Sequence, residues 1–243
     1  MMSKVVVLIP ARYQSSRFPG KPLSLIKNKT MIECVYQNTA MSGFECAVVT
    51  DDDRIETEVK RFGGKVIRVN DDVPSGSERI ALAYERFYEG KADLVINVQG
   101  DEPLLPGESL KSLAQFHLNS KFDVATMVRP RKSNEEDFKN PNVVKAVLAE
   151  VSGQCLYFSR ASLPYERDQK NEYEWHQHIG VYSYRPQALK EFVKAPMARL
   201  EDLEKLEQLR AMEMGFSIGA LKVNMILQGV DVPEDIQKVE RYL

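Results

Sequence analysis

The chain has 243 residues, with 33 Lys and Arg against 35 Asp and Glu, so its formal net charge is −2. Apolar residues make up 43% and charged residues 28%, a balance that argues against intrinsic disorder and supplies no bulk charge for nucleic-acid binding. No apolar run approaches the ~20 residues that span a bilayer, no signal peptide is visible, and Cys34, Cys46 and Cys155 are too scattered for a disulfide framework or a metal finger. A cytoplasmic globular protein, with no membrane or nucleic-acid partner, is the expectation. Val5 to Ile9 is β-branched, unalternated and stopped by Pro10, the pattern of a strand buried on both faces. Thr30 opens a helix that reaches about Ser42, and Ala47 to Thr50 is a second buried strand. Asp52 and Asp53 cap a helix ended by Gly63-Gly64, and Val66-Ile67 is a third strand. Ser77 to Tyr88 reads as helix and Leu94 to Val98 as a fourth strand. This rhythm predicts a doubly wound, mostly parallel α/β sheet.

The second half changes character. Asp123 to Val128 and Val143 to Leu148 read as strands, and Leu156 to Tyr184 carries seven aromatics among strand-like fragments. Helices are expected at about 186–194 and 202–214, then a strand near Ile218 to Val223 and a last helix from Pro233. The pattern predicts one α/β domain over 1–243 with an inserted, more antiparallel portion over 130–185.

Chemistry concentrates at strand ends. Pro10 to Pro22 follows the first strand and holds Arg12, Arg17 and Lys21 between prolines and Gly20. In open α/β sheets ligands bind at the carboxyl ends of strands, and three cations on such a loop suit a polyanion. It is not a Walker loop, because Pro22 follows Gly20-Lys21; the plain alternative is a solvated basic loop. Gln99-Gly100-Asp101-Glu102-Pro103 follows the fourth strand. Asp101 there can hold a divalent cation on phosphates, or simply cap the next helix. Asp231, in Gly229-Val230-Asp231-Val232-Pro233, is a second candidate ligand or an Asx turn. Ser75-Gly76-Ser77-Glu78-Arg79 offers helix N-terminal amides to an anion or base edge, or is a plain N-cap. His176 and His178 share one strand face but lack a third ligand at zinc spacing. Leu200, Leu203, Leu206 and Leu209 form an expected core stripe, which leaves Glu207 and Gln208 solvated by default.

Taken in order, these blocks resemble the CMP-Kdo synthetase family, the 3-deoxy-manno-octulosonate (Kdo) cytidylyltransferases. The resemblance rests on Ile9 to Tyr13, Phe18 to Leu23, Ser75 to Arg79, Val98 to Pro103, Leu156 to Arg160, His178 to Tyr182, Leu206 to Arg210 and Gly229 to Asp231. It implies a Rossmann-like nucleotidyltransferase fold whose inserted portion serves dimerisation and sugar binding. It also implies a homodimer that makes CMP-Kdo and diphosphate from CTP and Kdo for bacterial lipopolysaccharide. By that resemblance Pro10, Ala11, Arg12, Arg17, Lys21, Ser75, Gly76, Ser77 and Arg79 contact CTP. Asp101 and Asp231 hold Mg²⁺ and act with Arg12 and Lys21 in catalysis, while Gln99, Arg160, His178, Tyr182, Glu207 and Gln208 surround the sugar acid. The chain departs from the family at Ser77, where Thr is expected, at Ser183, where Gly is usual, and at Val232, where Thr commonly follows the Asp. An 8-amino Kdo analogue as acceptor, or a non-catalytic nucleotide-binding regulator, are the alternatives.

Overall fold

The computed structural model describes residues 4–14, 18–168, 172–225 and 228–243. The elements of the first half are β1 (Val5–Pro10), a 3-10 turn (Lys21–Leu23), β2 (Leu25–Ile26), β3 (Lys29–Thr30), α1 (Met31–Ala40), β4 (Glu45–Thr50), α2 (Asp53–Arg61), β5 (Val66–Arg68), α3 (Gly76–Phe87), β6 (Leu94–Asn97) and α4 (Gly107–Leu118). There follow β7 (Val124–Lys132), a 3-10 turn (Glu136–Phe138), β8 (Lys145–Ala149), β9 (Gln154–Ser159), β10 (Glu174–Tyr184), α5 (Pro186–Lys194), α6 (Arg199–Glu204), α7 (Gln208–Glu213), β11 (Ile218–Lys222) and α8 (Asp235–Glu240). The chain forms two compact units, one of residues up to 114 together with the C-terminal segment, the other of 115–225. The expected insertion, 130–185, lies inside the second.

In the first unit β5, β4, β1 and β6 are neighbours in that order and all parallel. Every residue of β1 is buried, with Val7, Leu8 and Ile9 at 0% exposure. That explains why the strand shows no alternation: helices cover both faces. Local chemistry sets the helix starts. Thr30 accepts the Glu33 amide, Asp52 accepts those of Arg54 and Ile55, and Ser75 accepts that of Glu78, each satisfying an otherwise orphaned donor. The chain leaves β1 toward β4 on one side and reaches β6 on the other. The carboxyl ends of β1 and β6 therefore flank the switch point where such sheets bind ligands.

The second unit is mixed. β10 pairs antiparallel with β7, β7 parallel with β11, β11 antiparallel with β9, and β9 antiparallel with β8. β8 then pairs back onto β10 through His176 and Gln177, so within this unit each of the five strands has two partners. A register shift between Ile179 and Tyr182 bends β10. The expected helix 202–214 is two helices, because Lys205 adopts a left-handed conformation (φ 50°) and closes α6 with its amide on the Glu201 carbonyl. The leucine stripe breaks with it: Leu206 and Leu209 are buried, whereas Leu203 is 68% exposed.

Ser183, a departure from the family pattern, has a structural partner. Its Oγ lies 2.8 Å from Nδ1 of fully buried His117, whose Nε2 lies 3.0 Å from the Phe122 carbonyl. The carbonyl can only accept, so Nε2 carries the proton and the serine hydroxyl donates to Nδ1. Burial lowers the His117 pKa to about 4, below its ordinary 6.5. The unfolded chain therefore binds the extra proton between those values, and this share of stability, about 3 kcal/mol at most, is present above pH 6.5 and is lost as the pH falls toward 4. Urea midpoints measured from pH 7.5 to 4.5 should fall, and fall less steeply in His117→Gln; parallel profiles for the two proteins would remove His117 as the cause.

Candidate active site

A cleft of about 220 Å³ opens in the first unit, lined by Pro10, Ala11, Arg12, Gln14, Lys21, Pro22, Gly76, Gln99, Gly100 and Asp101. Its floor is made by close approach. A Cβ at Gly76 would lie 3.1 Å from the Pro10 ring, and one at Gly100 would lie 3.1 Å from the Pro10 carbonyl. Glycine on both sides lets the ends of β1 and β6 and the start of α3 converge without a neighbour having to give way. The loop after β1 is tied off where Gly20, at φ 74° against the Tyr13 ring, donates its amide to the Tyr13 carbonyl (2.8 Å). Lys21 and Pro22 then enter a 3-10 turn, which fixes the backbone from which the Lys21 side chain reaches into the cleft.

The cations of this cleft are already engaged. Arg12 donates through Nη1 to the Pro74 carbonyl (2.8 Å) and through Nη2 to that of Val73. Burial and then Arg79 lower its pKa, as expected of a guanidinium held by carbonyls rather than carboxylates. Lys21 Nζ donates to Asp101 Oδ2 at 2.6 Å and to the Val230 carbonyl at 3.0 Å. The Val230 amide in turn donates to the Asp101 carbonyl (3.0 Å), so the segment carrying Asp231 is stitched to the end of β6. The Asp231 amide and that of Val232 are both capped by Asp235 Oδ2. Glu102 completes an acidic group. Its Oε2 is buried with no hydrogen-bond partner among the described residues, and burial, with the charges of Asp101 and Asp231 and against that of Lys21, pushes its pKa to about 8. The motif Gln99 to Pro103 by itself marks no role for Glu102, because its burial is a tertiary property.

The remaining expected residues divide clearly. Arg17 lies outside the described residues. Of the Ser75 to Arg79 group, Gly76 lines the cleft and Ser75 caps α3. Ser77 and Arg79 are each 2% exposed. The side chain of Arg79, a residue expected among nucleotide contacts, joins the ends of β4 and β5: it donates to the Val69 carbonyl (2.6 Å) and to Asp51 (2.7 Å). Gln99 lines the cleft.

Arg160, His178, Tyr182, Glu207 and Gln208 belong to the second unit. The His178 ring sits edge-on to Phe158 (4.9 Å) and 5.4 Å from Tyr182, with Nε2 3.1 Å from Thr126 Oγ1. Burial drives the His178 pKa down to about 3, and burial with nearby negative charge, including that of Glu207, drives that of Tyr182 well up. Both are therefore neutral hydrogen-bonding groups at physiological pH. Gln208, expected from the leucine stripe alone to be solvated, is 7% exposed with a buried Nε2 that has no partner among the described residues. The left-handed turn at Lys205 directs it inward. Arg160, expected among the residues around the sugar acid, donates to the carbonyls of Glu204 (2.7 Å), Pro141 (3.0 Å) and Lys205 (3.3 Å). It thereby braces the turn leading to Glu207 and Gln208.

Comparison with known proteins fits this geometry. The cytidylyltransferase family model matches residues 6–221. The 3-deoxy-manno-octulosonate cytidylyltransferase of Cytophaga hutchinsonii is 43% identical over 97% of this chain and 96% of its own length. The 8-amino-3,8-dideoxy-manno-octulosonate cytidylyltransferase of Shewanella halifaxensis is 44% identical over 98% of each. A solved CMP:2-keto-3-deoxy-manno-octonic acid synthetase in complex with CTP superposes with a TM-score of 0.90 at 37% identity, covering 99% of this chain and 98% of that one. The chain belongs to the cytidylyltransferase family, within the group that carries the 3-deoxy-manno-octulosonate cytidylyltransferases.

Proposed function

We propose that this protein transfers the cytidylyl group of CTP to Kdo, giving CMP-Kdo and diphosphate for lipopolysaccharide synthesis. The observation that carries the reading is the cleft at the ends of β1 and β6. There Arg12, Lys21 and Asp101 stand around a floor that glycines keep open to a nucleotide. The Pro10-Ala11 backbone and the Ser75 to Arg79 segment frame the cytidine end. Arg12 and Lys21, held now by carbonyls and one carboxylate, exchange those partners for phosphate oxygens, which bind cations more strongly than a carbonyl does. Arg17, on the same loop, serves the same triphosphate.

Asp101 and Asp231 are the residues that would hold Mg²⁺. Lys21 as a resident cation on Asp101, beside the buried carboxyl of Glu102, supports a cation site at this point. Among the described residues no three acidic, His or Cys side chains form a closed cage, which suits an ion that takes one or two carboxylates and completes its shell with water and phosphate. When bound, such an ion would neutralise triphosphate charge and favour ionisation of an attacking hydroxyl. The protein's own part is alignment: the 2-hydroxyl of Kdo attacks the α-phosphorus in line as diphosphate leaves, with Arg12 and Lys21 neutralising charge on the oxygens.

For the sugar acid, the residues proposed within the second unit are His178, Tyr182, Glu207 and Gln208. The orphaned Gln208 amide and the neutral His178 and Tyr182 supply donors and acceptors for sugar hydroxyls. The Arg160 nitrogens now resting on carbonyls are the ends that a carboxylate would take over. We assign the enzyme to the cytoplasm as a homodimer; no helix among the described residues is long and apolar enough to cross a membrane.

The Shewanella relative favours one second reading, the 8-amino analogue of Kdo as acceptor. Diphosphate release with CTP and each sugar in turn tests both. Turnover at least tenfold more efficient with Kdo is expected. The reverse ratio would select the 8-amino sugar, and no release with either would leave only a nucleotide-binding protein.

A further inference from the structure

The contact between Lys21 and Asp101 has a consequence for how the site fills, and it rests on the metal and phosphate roles just proposed. Lys21 Nζ approaches Asp101 Oδ2 to 2.6 Å while also donating to the Val230 carbonyl, one residue before Asp231. Its side chain is 15% exposed and that of Asp101 33%, so the pair is partly withdrawn from water and its attraction is little screened. An ammonium is a compact point charge with several donors. Here it sits against a carboxylate and a carbonyl, two of the oxygen types that a hard divalent ion takes. The backbone on either side is fixed: Gly20 is tied to Tyr13 and Leu23 to Gly20. Release of Asp101 therefore requires rotation about the lysine stem alone.

We propose that Lys21 stands in for the divalent cation while the cleft lacks a nucleotide, and that the ion gains Asp101 only as Lys21 moves to the incoming phosphates. A divalent ion arriving alone must displace the ammonium without giving it a new anion. An ion arriving with a triphosphate supplies that anion in the same step. Metal binding by the free protein is accordingly suppressed, and nucleotide and metal bind with positive coupling.

Mn²⁺ titrations read by electron paramagnetic resonance of the free ion, without nucleotide, test this in the full chain. Lys21→Gln, which keeps a donor for the Val230 carbonyl, and Lys21→Met should each bind Mn²⁺ about ten- to a hundredfold more tightly than the wild type, the scale of one charged contact. Lys21→Arg, which keeps the charge, should stay close to the wild type. The gain should vanish when Asp101→Asn is added to Lys21→Gln. Mn²⁺ affinity unchanged by Lys21→Gln and Lys21→Met, or raised as much by Lys21→Arg, overturns the stand-in role. If Mn²⁺ and CTP still bind together through Asp101 in that case, the function proposed above survives. Should Asp101→Asn alter neither Mn²⁺ binding alone nor Mn²⁺ binding with CTP, the metal role of Asp101 fails, and this inference with it.

Discussion

Asp101→Asn should lower turnover at saturating CTP, Kdo and Mg²⁺ by at least ~100-fold, the scale of losing a key electrostatic stabiliser, while the protein stays folded. The substitution is nearly isosteric, and the backbone that holds the site is not its target: the Asp101 carbonyl still accepts the Val230 amide. What disappears is one negative charge at the end of β6, in a group where Asp101 and Asp231 act together on Glu102. Circular dichroism and the melting temperature should match the wild type. A folded Asp101→Asn protein with near-normal turnover would remove Asp101 from the chemistry.

A loss of about 3–5 kcal/mol in unfolding free energy is expected for Glu201→Ala, the cost of leaving one partner of a buried pair alone. The Arg210 guanidinium lies 4.4 Å over the Phe192 ring. Its Nη2 donates to Glu201 Oε1 at 3.0 Å, its Nε is 3.0 Å from Glu201 Oε2, and the side chains are 8% and 9% exposed. Glu201 also accepts the Ala198 amide, and Arg210 reaches the Ala195 carbonyl and Glu207. One buried pair therefore joins α5's end to both α6 and α7. Denaturant unfolding measures the loss, and the double variant Glu201→Ala with Arg210→Met should recover part of it, since no charge is then stranded. A double variant less stable than either single one would mean that packing, not charge, holds these helices. Because α7 begins at Gln208, the same loosening should weaken saturation by Kdo more than by CTP.

The parts of this molecule that could be read from sequence are those set by neighbours in the chain. β1, β4 and β6 are unbroken apolar runs because helices cover them on both faces, and the capping residues Thr30, Asp52 and Ser75 mark their helices within a residue. The cationic loop and the Asp101 motif were visible because each directly follows such a strand. Tertiary decisions were hidden. Nothing in the periodicity of 200–214 announces that Lys205 turns left-handed, since that depends on where α6 and α7 must pack. Arg79 looks like any helix-start cation until Asp51 and the Val69 carbonyl are brought beside it. The β2–β3 hairpin is too short to carry a pattern, and the run of β7 past Val128 to Lys132 is imposed by its long partner β10. The roles assigned to Arg160, Glu207 and Gln208 came from resemblance, because their surroundings are made by residues distant in the chain.

The floor of the cleft limits how this active site can change. At Gly76 and Gly100, the two positions flanking Pro10, the side chain is already a single hydrogen atom. No substitution at Gly76 or Gly100 can hollow the cleft further; every one adds atoms. At these two positions mutation can only make the cleft shallower. A bulkier nucleotide has to be accommodated by outward movement of whole segments, such as the loop between β1 and β2, whereas a smaller one needs no more than a methyl group. Substrate range set at these two glycines is adjustable in one direction only.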